Sequence, residues 1–436
     1  MPEASLPDPA LPDPLEIIPL DLPPDIDLEV PGSKSVTNRA LIAAALARGR
    51  SRLTGVLLAD DTRAMLAALG ALGFVIDVEP SGPTTVVTGS AGEVPASTAR
   101  VDVRLSGTTA RFVAPLLALA EGSFDLDGGE PFRARPMGPV LEALRSLGAR
   151  VEDLGRPGHL PVRVISEGVR GGALRVAGDT SSQFLSGLLL AGPACPDGLE
   201  IDLTTDLVSE RYVELTIATM ADFGARVERP TERRFVVPPT GYDATDMAIE
   251  PDASAASYLL AAAAITGGRV RVRGLTAAAR QGDAGFARVL QRMGAAVTID
   301  ARGTEVRGTG RLQGIEVDLG AMSDTAQTLA AVAVFAEGPT RVTGIGFIRA
   351  KETDRIHAVV TELRRCGIRA EAEPDGFVIH PGSPQPAVVS TYDDHRMAMS
   401  FALLGLRSPG LRIADPGCVA KTFPTYFSVL EQLRDT

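Results

Sequence analysis

Cysteine is nearly absent: Cys195, Cys366 and Cys418 are the three in 436 residues, and they lie far apart. They form neither a metal-ligand spacing nor a disulfide framework, which fits a reduced, cytoplasmic setting. The four histidines, His159, His357, His380 and His395, are equally scattered, so no metal site is expected. Positive charge is also in short supply, with 43 Lys and Arg against 54 Asp and Glu, a formal net charge of −11. Affinity for a phosphate backbone comes from excess cations, so nucleic acid is not an expected partner. The proline-rich start, Met1 to Pro14, lacks the basic end and apolar stretch of a signal peptide and reads as a loosely ordered leader. No segment reads as a membrane span; the nearest, Ala253 to Gly268, contains hydroxyl residues and reads as a buried helix. No exposed apolar stripe calls for a second copy, so a monomer is expected.

What the chain does have is a recurring device. In Pro31-Gly-Ser-Lys-Ser-Val-Thr-Asn-Arg-Ala40 a glycine turn opens into an alanine-rich helix whose first turn carries Lys34, Ser35 and Arg39. Free N–H groups at a helix start favour anions, and cations and hydroxyls there point to a carboxylate or phosphate site. Taken alone, such a start also reads as an ordinary cap beside a solvated lysine. The pattern, however, returns roughly every 70 residues, at Ser106-Gly-Thr, Thr180-Ser-Ser, Asp252-Ala-Ser, Ser323-Asp-Thr and Asp393-Asp-His.

Each unit then runs through a strand, a second helix ending at a glycine, and two short strands. The first helices, such as Leu259-Leu-Ala-Ala-Ala-Ala-Ile, are apolar nearly all round and must be buried on every side. The second helices, such as Val359-Val-Thr-Glu-Leu-Arg-Arg, are amphipathic and suit the outside of a sheet. The pattern predicts an α/β fold of two domains, each of three β-α-β-α-β-β units with buried central helices. The first is expected over residues 32–249 and the second over 1–31 plus 250–436. The strand-like piece Leu15 to Leu28 would complete the truncated sixth unit, leaving two crossings that act as a hinge pair. If the two domains face each other, six helix starts would converge on one cleft.

Units one to three bring hydroxyls and cations to their helix starts, and units four to six bring acids as well. Asp252, Asp393 and Asp394 read as structural N-caps, whereas Asp324 reads equally well as a cap or as a chemical group. Further cations stand in Phe132-Arg-Ala-Arg-Pro-Met, Arg349-Ala-Lys-Glu-Thr-Asp-Arg355, Asp394-His-Arg-Met and Ala420-Lys-Thr-Phe. Their recurrence at matched points suggests a small substrate with several negative charges. Glu352 among them is able to hold or pass a proton if buried.

These stretches, with Ser181-Ser-Gln-Phe-Leu and Lys421-Thr-Phe-Pro, closely resemble the 5-enolpyruvylshikimate-3-phosphate synthase family from about residue 15 to the C-terminus. The resemblance implies two inverse α/β domains and transfer of enolpyruvyl from phosphoenolpyruvate to shikimate 3-phosphate. It implies that Lys34, Ser35, Arg39, Ser181, Ser182, Gln183, Ser209, Asp324 and Lys351 bind shikimate 3-phosphate, with Tyr212 nearby. Phosphoenolpyruvate would meet Lys34, Gly107, Arg135, Gln183, Arg355, Arg396 and Lys421. Asp324, Glu352 and Lys34 would be the catalytic residues: Asp324 matches the family's proton acceptor, Glu352 its proton donor, and Lys34 reaches both substrates; no cofactor is implied. The chain departs from the commonest family pattern at Leu105, Ser106, Phe112 and Phe347. The last stands where an asparagine commonly contacts shikimate.

Three other readings compete. The sister enzyme acting on UDP-N-acetylglucosamine usually shows Lys-Asn after the first glycine turn and a reactive cysteine in its first half. Here the pair is Lys34-Ser35 and no cysteine precedes Cys195. A non-catalytic binder of phosphorylated metabolites would lack the acid–base pair, yet Asp324 and Glu352 are both present. An RNA-end-processing enzyme on similar repeats is disfavoured by the acidic balance.

Overall fold

The computed structural model describes residues 11–79 and 82–435, so most of the proline-rich leader lies outside the described residues. The chain divides into two compact units, Gly32–Ile249 and a second that joins the chain before Gly32 to the chain after Ile249. Each has its own apolar core.

The second repeat shows the plan. Strand Thr98–Asp102 leads into the buried helix Gly107–Leu119, which returns as Glu121–Asp127, parallel to the first strand. Helix Gly138–Ser146 and the antiparallel strands Arg150–Asp153 and Val162–Glu167 complete a four-stranded sheet. The third and fifth repeats have sheets of the same order.

The first and fourth repeats take their leading strands from elsewhere in the chain. Met247–Ala248 runs parallel to Arg50–Thr54 in the first, and Asp25–Leu28 runs parallel to Arg269–Arg273 in the fourth. The piece Leu15 to Leu28 therefore does not enter the sixth repeat whole. Leu15–Ile17 does so, pairing antiparallel with Leu411–Ile413, but Asp25–Leu28 goes to the fourth. Pro19, Pro23 and Pro24 explain the split, because proline offers no N–H to a ladder.

Composition dictates the layers. Helix Ala253–Thr266 buries all but Ser254 and Thr266, as an apolar surface on every side requires. Helix Arg355–Arg365 buries Ile356, Val359, Val360 and Leu363 and exposes His357 and Arg364. It ends before Gly367, at φ 76°, where a side chain would be strained. No helix among the described residues is long and apolar enough to cross a membrane.

Candidate active-site clusters

In the Gly32–Ile249 unit the three buried helices begin at Ser33, Ser106 and Ser181. Their hydroxyls accept from the backbone N–H of Val36, Thr109 and Gln183. Ser106, one of the departures from the family pattern, is thus a working cap. Lys34 Nζ lies 3.1 Å from Oδ2 of the buried Asp61. Arg39 is buried and donates to Thr216 Oγ1 at 2.7 Å, the Ser35 carbonyl at 2.8 Å and the Tyr212 carbonyl at 3.0 Å. Burial pushes its pKa down to about 10, which leaves it charged at neutral pH. Its guanidinium carbon stands 5.1 Å from the ring centroid of Phe112, another of the departures, in cation–π range.

Gln183 accepts from Arg111 at 2.6 Å and donates to Thr108 at 3.2 Å. A Cβ at Gly107 would come within 3.0 Å of Arg135 Nη2 and 3.1 Å of Arg111 Nη1, so glycine leaves these guanidinium groups room. Ser209, at φ 54°, heads helix Glu210–Asp222. Its buried hydroxyl makes no hydrogen bond among the described residues.

In the other unit a buried arginine organises the acids. Arg355 is 1% exposed and donates to both oxygens of Asp394, at 2.7 and 3.2 Å. It also reaches Asp324 Oδ1 at 3.1 Å and Glu352 Oε2 at 2.8 Å. Burial opposes its charge, but Asp394, Glu352 and Asp324 outweigh burial and push its pKa up. Arg396 donates to Asp324 Oδ2 at 2.6 Å and to the Tyr258 hydroxyl at 3.2 Å. Asp324, Glu352, Arg355 and Arg396 thus form one connected network. Lys351 Nζ stands 5.9 Å from the Phe347 centroid, and Lys421 is buried at the end of the short turn Pro416–Lys421.

Two of the four acids read at helix starts behave otherwise than as simple caps. Asp252 caps Ala255, and Asp394 caps Arg396 while chelating Arg355. Asp393 is no cap: it is exposed, in a turn at φ 54°. Asp324 is not one either. It lies in the tight turn Gly320–Thr325 ahead of helix Ala326–Ala333, with its carboxylate spent on two arginines.

Sequence reading missed Asp61, Arg111 and Asp283. Asp60-Asp61 looks like ordinary first-turn acid, and nothing in Gln281-Gly-Asp283 marks a chemical group. Asp283 is 4% exposed and accepts from the Ser254 hydroxyl. Burial and then the charge of Asp324 push its pKa up to about 7, against the pull of Arg396 and Ser254. One signal was available in the composition: Lys34, Lys351 and Lys421 are the chain's three lysines, and every other basic side chain but histidine is arginine.

Residues 25–430 match the EPSP synthase (3-phosphoshikimate 1-carboxyvinyltransferase) family. A 3-phosphoshikimate 1-carboxyvinyltransferase of Nostoc punctiforme is 46% identical over 415 residues, covering 95% of this chain and 97% of that protein. A relative from Halalkalibacterium halodurans, 3-phosphoshikimate 1-carboxyvinyltransferase 2, is 42% identical, covering 96% and 94%. The solved EPSP synthase of Acinetobacter baumannii superposes with a TM-score of 0.81 at 27% identity, covering 96% and 97%. The enolpyruvyl transferase NikO of Streptomyces tendae, at 19% identity and a TM-score of 0.74 over 95% and 96%, shares the fold. Matched along nearly its whole length in sequence and in backbone, the chain belongs to the EPSP synthase (3-phosphoshikimate 1-carboxyvinyltransferase) family.

Proposed function

We infer that this chain transfers the enolpyruvyl group of phosphoenolpyruvate to the 5-hydroxyl of shikimate 3-phosphate. The products are 5-enolpyruvylshikimate 3-phosphate and phosphate, a step of chorismate and aromatic amino acid biosynthesis. The observation that carries the reading is that Asp324 and Glu352 share one buried guanidinium, that of Arg355, at 3.1 and 2.8 Å. Two carboxylates are thereby held at one place, as an acid and a base acting on one reaction centre require.

Glu352 gives a proton to the methylene carbon of phosphoenolpyruvate, and positive charge builds at the adjacent carbon. The 5-hydroxyl oxygen bonds to that carbon as Asp324 takes its proton. Phosphate then leaves as the new methyl group gives a proton back, restoring the double bond. Arg135, Arg355, Arg396, Lys34 and Lys421 balance the phosphate and carboxylate charge throughout, with Gly107 and Gln183 completing the phosphoenolpyruvate contacts. Lys34, Ser35, Arg39, Ser181, Ser182, Gln183, Ser209, Asp324 and Lys351 are the proposed contacts of shikimate 3-phosphate.

We place the protein in the cytoplasm as a monomer. Its three thiols are free, and burial raises the pKa of each, which suits inert core cysteines. The test is phosphate release from phosphoenolpyruvate with two acceptors in parallel, shikimate 3-phosphate and UDP-N-acetylglucosamine. Release with the first alone is expected; release with only the nucleotide sugar would overturn the assignment.

A further inference from the structure

Glu362 is a fully buried carboxylate with no part in the chemistry above. It stands seven residues after Arg355 on helix Arg355–Arg365, close to two full turns, so the two side chains leave one helix face. Its Oε2 accepts from the backbone N–H of Ser390 at 3.0 Å and from Arg365 Nε at 2.9 Å. Its Oε1 accepts from the Tyr392 hydroxyl at 2.7 Å.

Ser390 and Tyr392 lead into the helix that carries Arg396. The chain reverses in a turn closed by the Asp394 N–H on the Thr391 carbonyl at 2.9 Å. Both central residues are left-handed, Tyr392 at φ 57° and Asp393 at φ 54°. Turns of this class ordinarily use Asn-Gly, and a bulky side chain at positive φ opposes its own preference. The Tyr392 ring is 38% exposed, so core packing does not hold it there. Beyond the turn, Asp394 chelates Arg355 and caps the backbone of Arg396. One face of one helix therefore grips the turn twice, through Glu362 on its incoming side and Arg355 on its outgoing side.

We propose that Glu362 is a positioning residue for the transfer reaction: by holding Ser390 and Tyr392 it keeps the strained Tyr392–Asp393 turn shut and so fixes Arg396 for phosphoenolpyruvate. This rests on the reading that Arg396 binds phosphoenolpyruvate. Glu362→Gln keeps the shape, but one end of its amide no longer accepts, and Tyr392→Phe removes the hydroxyl that bonds Glu362, at an exposed residue.

The experiment measures KM for each substrate, kcat and the melting temperature in both variants, with Arg396→Lys alongside. Glu362→Gln should raise KM for phosphoenolpyruvate about tenfold and Tyr392→Phe about threefold, while KM for shikimate 3-phosphate stays within about twofold. Adding Tyr392→Asn and Asp393→Gly to Glu362→Gln should recover most of the loss, because that turn needs no clamp. The proposal fails if both single variants keep KM for phosphoenolpyruvate unchanged. It also fails if the relaxed turn gives no recovery, or if both KM values rise in step with lost stability. Should Glu362→Gln not fold, Tyr392→Phe decides alone. If Arg396→Lys raises KM for phosphoenolpyruvate and the clamp variants do not, the clamp alone is refuted. If Arg396→Lys also leaves it unchanged, the assignment of Arg396 falls and takes the clamp with it.

Discussion

Nη2 of Arg396 lies 2.6 Å from Oδ2 of Asp324, and Arg355 Nη1 lies 3.1 Å from the other oxygen of the same carboxylate. Two cations grip Asp324, and they occupy the oxygens a base must turn to a hydroxyl. Phosphoenolpyruvate carries a carboxylate and a phosphate that compete for those guanidinium groups. On the proposed assignment its arrival exchanges Asp324 for substrate on Arg396, which releases the base when it is needed.

Asp324→Asn separates these two roles. The amide keeps the shape, takes no proton and no longer competes as an anion. Turnover should fall by about 10²–10⁴-fold, the usual worth of a general base. Phosphoenolpyruvate binding, read by titration calorimetry, should hold or tighten. Clear weakening of that binding would show that Asp324 supports the anion site rather than competing for it.

Asp283 predicts a pH dependence of stability. Its pKa in the folded chain, about 7, stands above the ordinary 3.8. Between those values the folded state holds a proton that the unfolded chain has released, so this group favours folding least at high pH. The penalty is absent below about pH 4 and complete above about pH 7, with an upper size of about 4 kcal/mol at 1.36 kcal/mol per pH unit. Asp283→Asn removes it, so the gain in melting temperature over the unsubstituted protein should grow across that window. A gain that is flat with pH, or one that shrinks as pH rises, would rule this out.

The six-fold repeat, the buried first helices and the ordinary caps were legible because each rests on a local pattern. Alanine-rich segments such as Leu259–Ile265 have no polar face to show to water, and glycine ends the helices before residues 75, 150 and 296. What was not legible depends on distant partners. Asp324 and Asp394 look alike beside their helices and both accept from Arg355, and only the Arg396 side chain, from a distant segment, gives the first a different environment. Asp283 is marked by burial alone, which no local spacing encodes. The supply of leading strands from distant segments, Asp25–Leu28 to the fourth repeat and Met247–Ala248 to the first, is likewise a matter of long-range pairing.

The three lysines make a chemical prediction. A chain that uses arginine at 40 of its 43 Lys and Arg positions has kept lysine only at proposed substrate contacts. A compact ammonium that approaches as a point charge is not replaced by a planar fork. Lys34→Arg should therefore cost at least about tenfold in kcat/KM although charge is conserved. Amine-directed acetylation, which removes that charge, should inactivate in step with loss of unacetylated Lys34 and Lys351. Both substrates together should slow it. Full acetylation at these lysines with activity intact, followed by peptide mass analysis, would refute the assignment.

Arg39 and Phe112 give the last test, at a position where the chain departs from the common family pattern. The Phe112 ring supports a buried guanidinium 5.1 Å away that also has bonds to Thr216, Ser35 and Tyr212. A cation over a ring is worth about 0.5–2 kcal/mol. Phe112→Leu keeps most of the volume and removes the ring face, so Arg39 loses one of the supports that fix its direction. KM for shikimate 3-phosphate should rise by about 2–30-fold, the same energy expressed as a ratio. KM for phosphoenolpyruvate should stay near its starting value, because Arg39 belongs to the other substrate's set. Equal rises for both substrates would mean that Phe112 acts through the shared core of the Gly32–Ile249 unit, and the specific link to Arg39 would be lost.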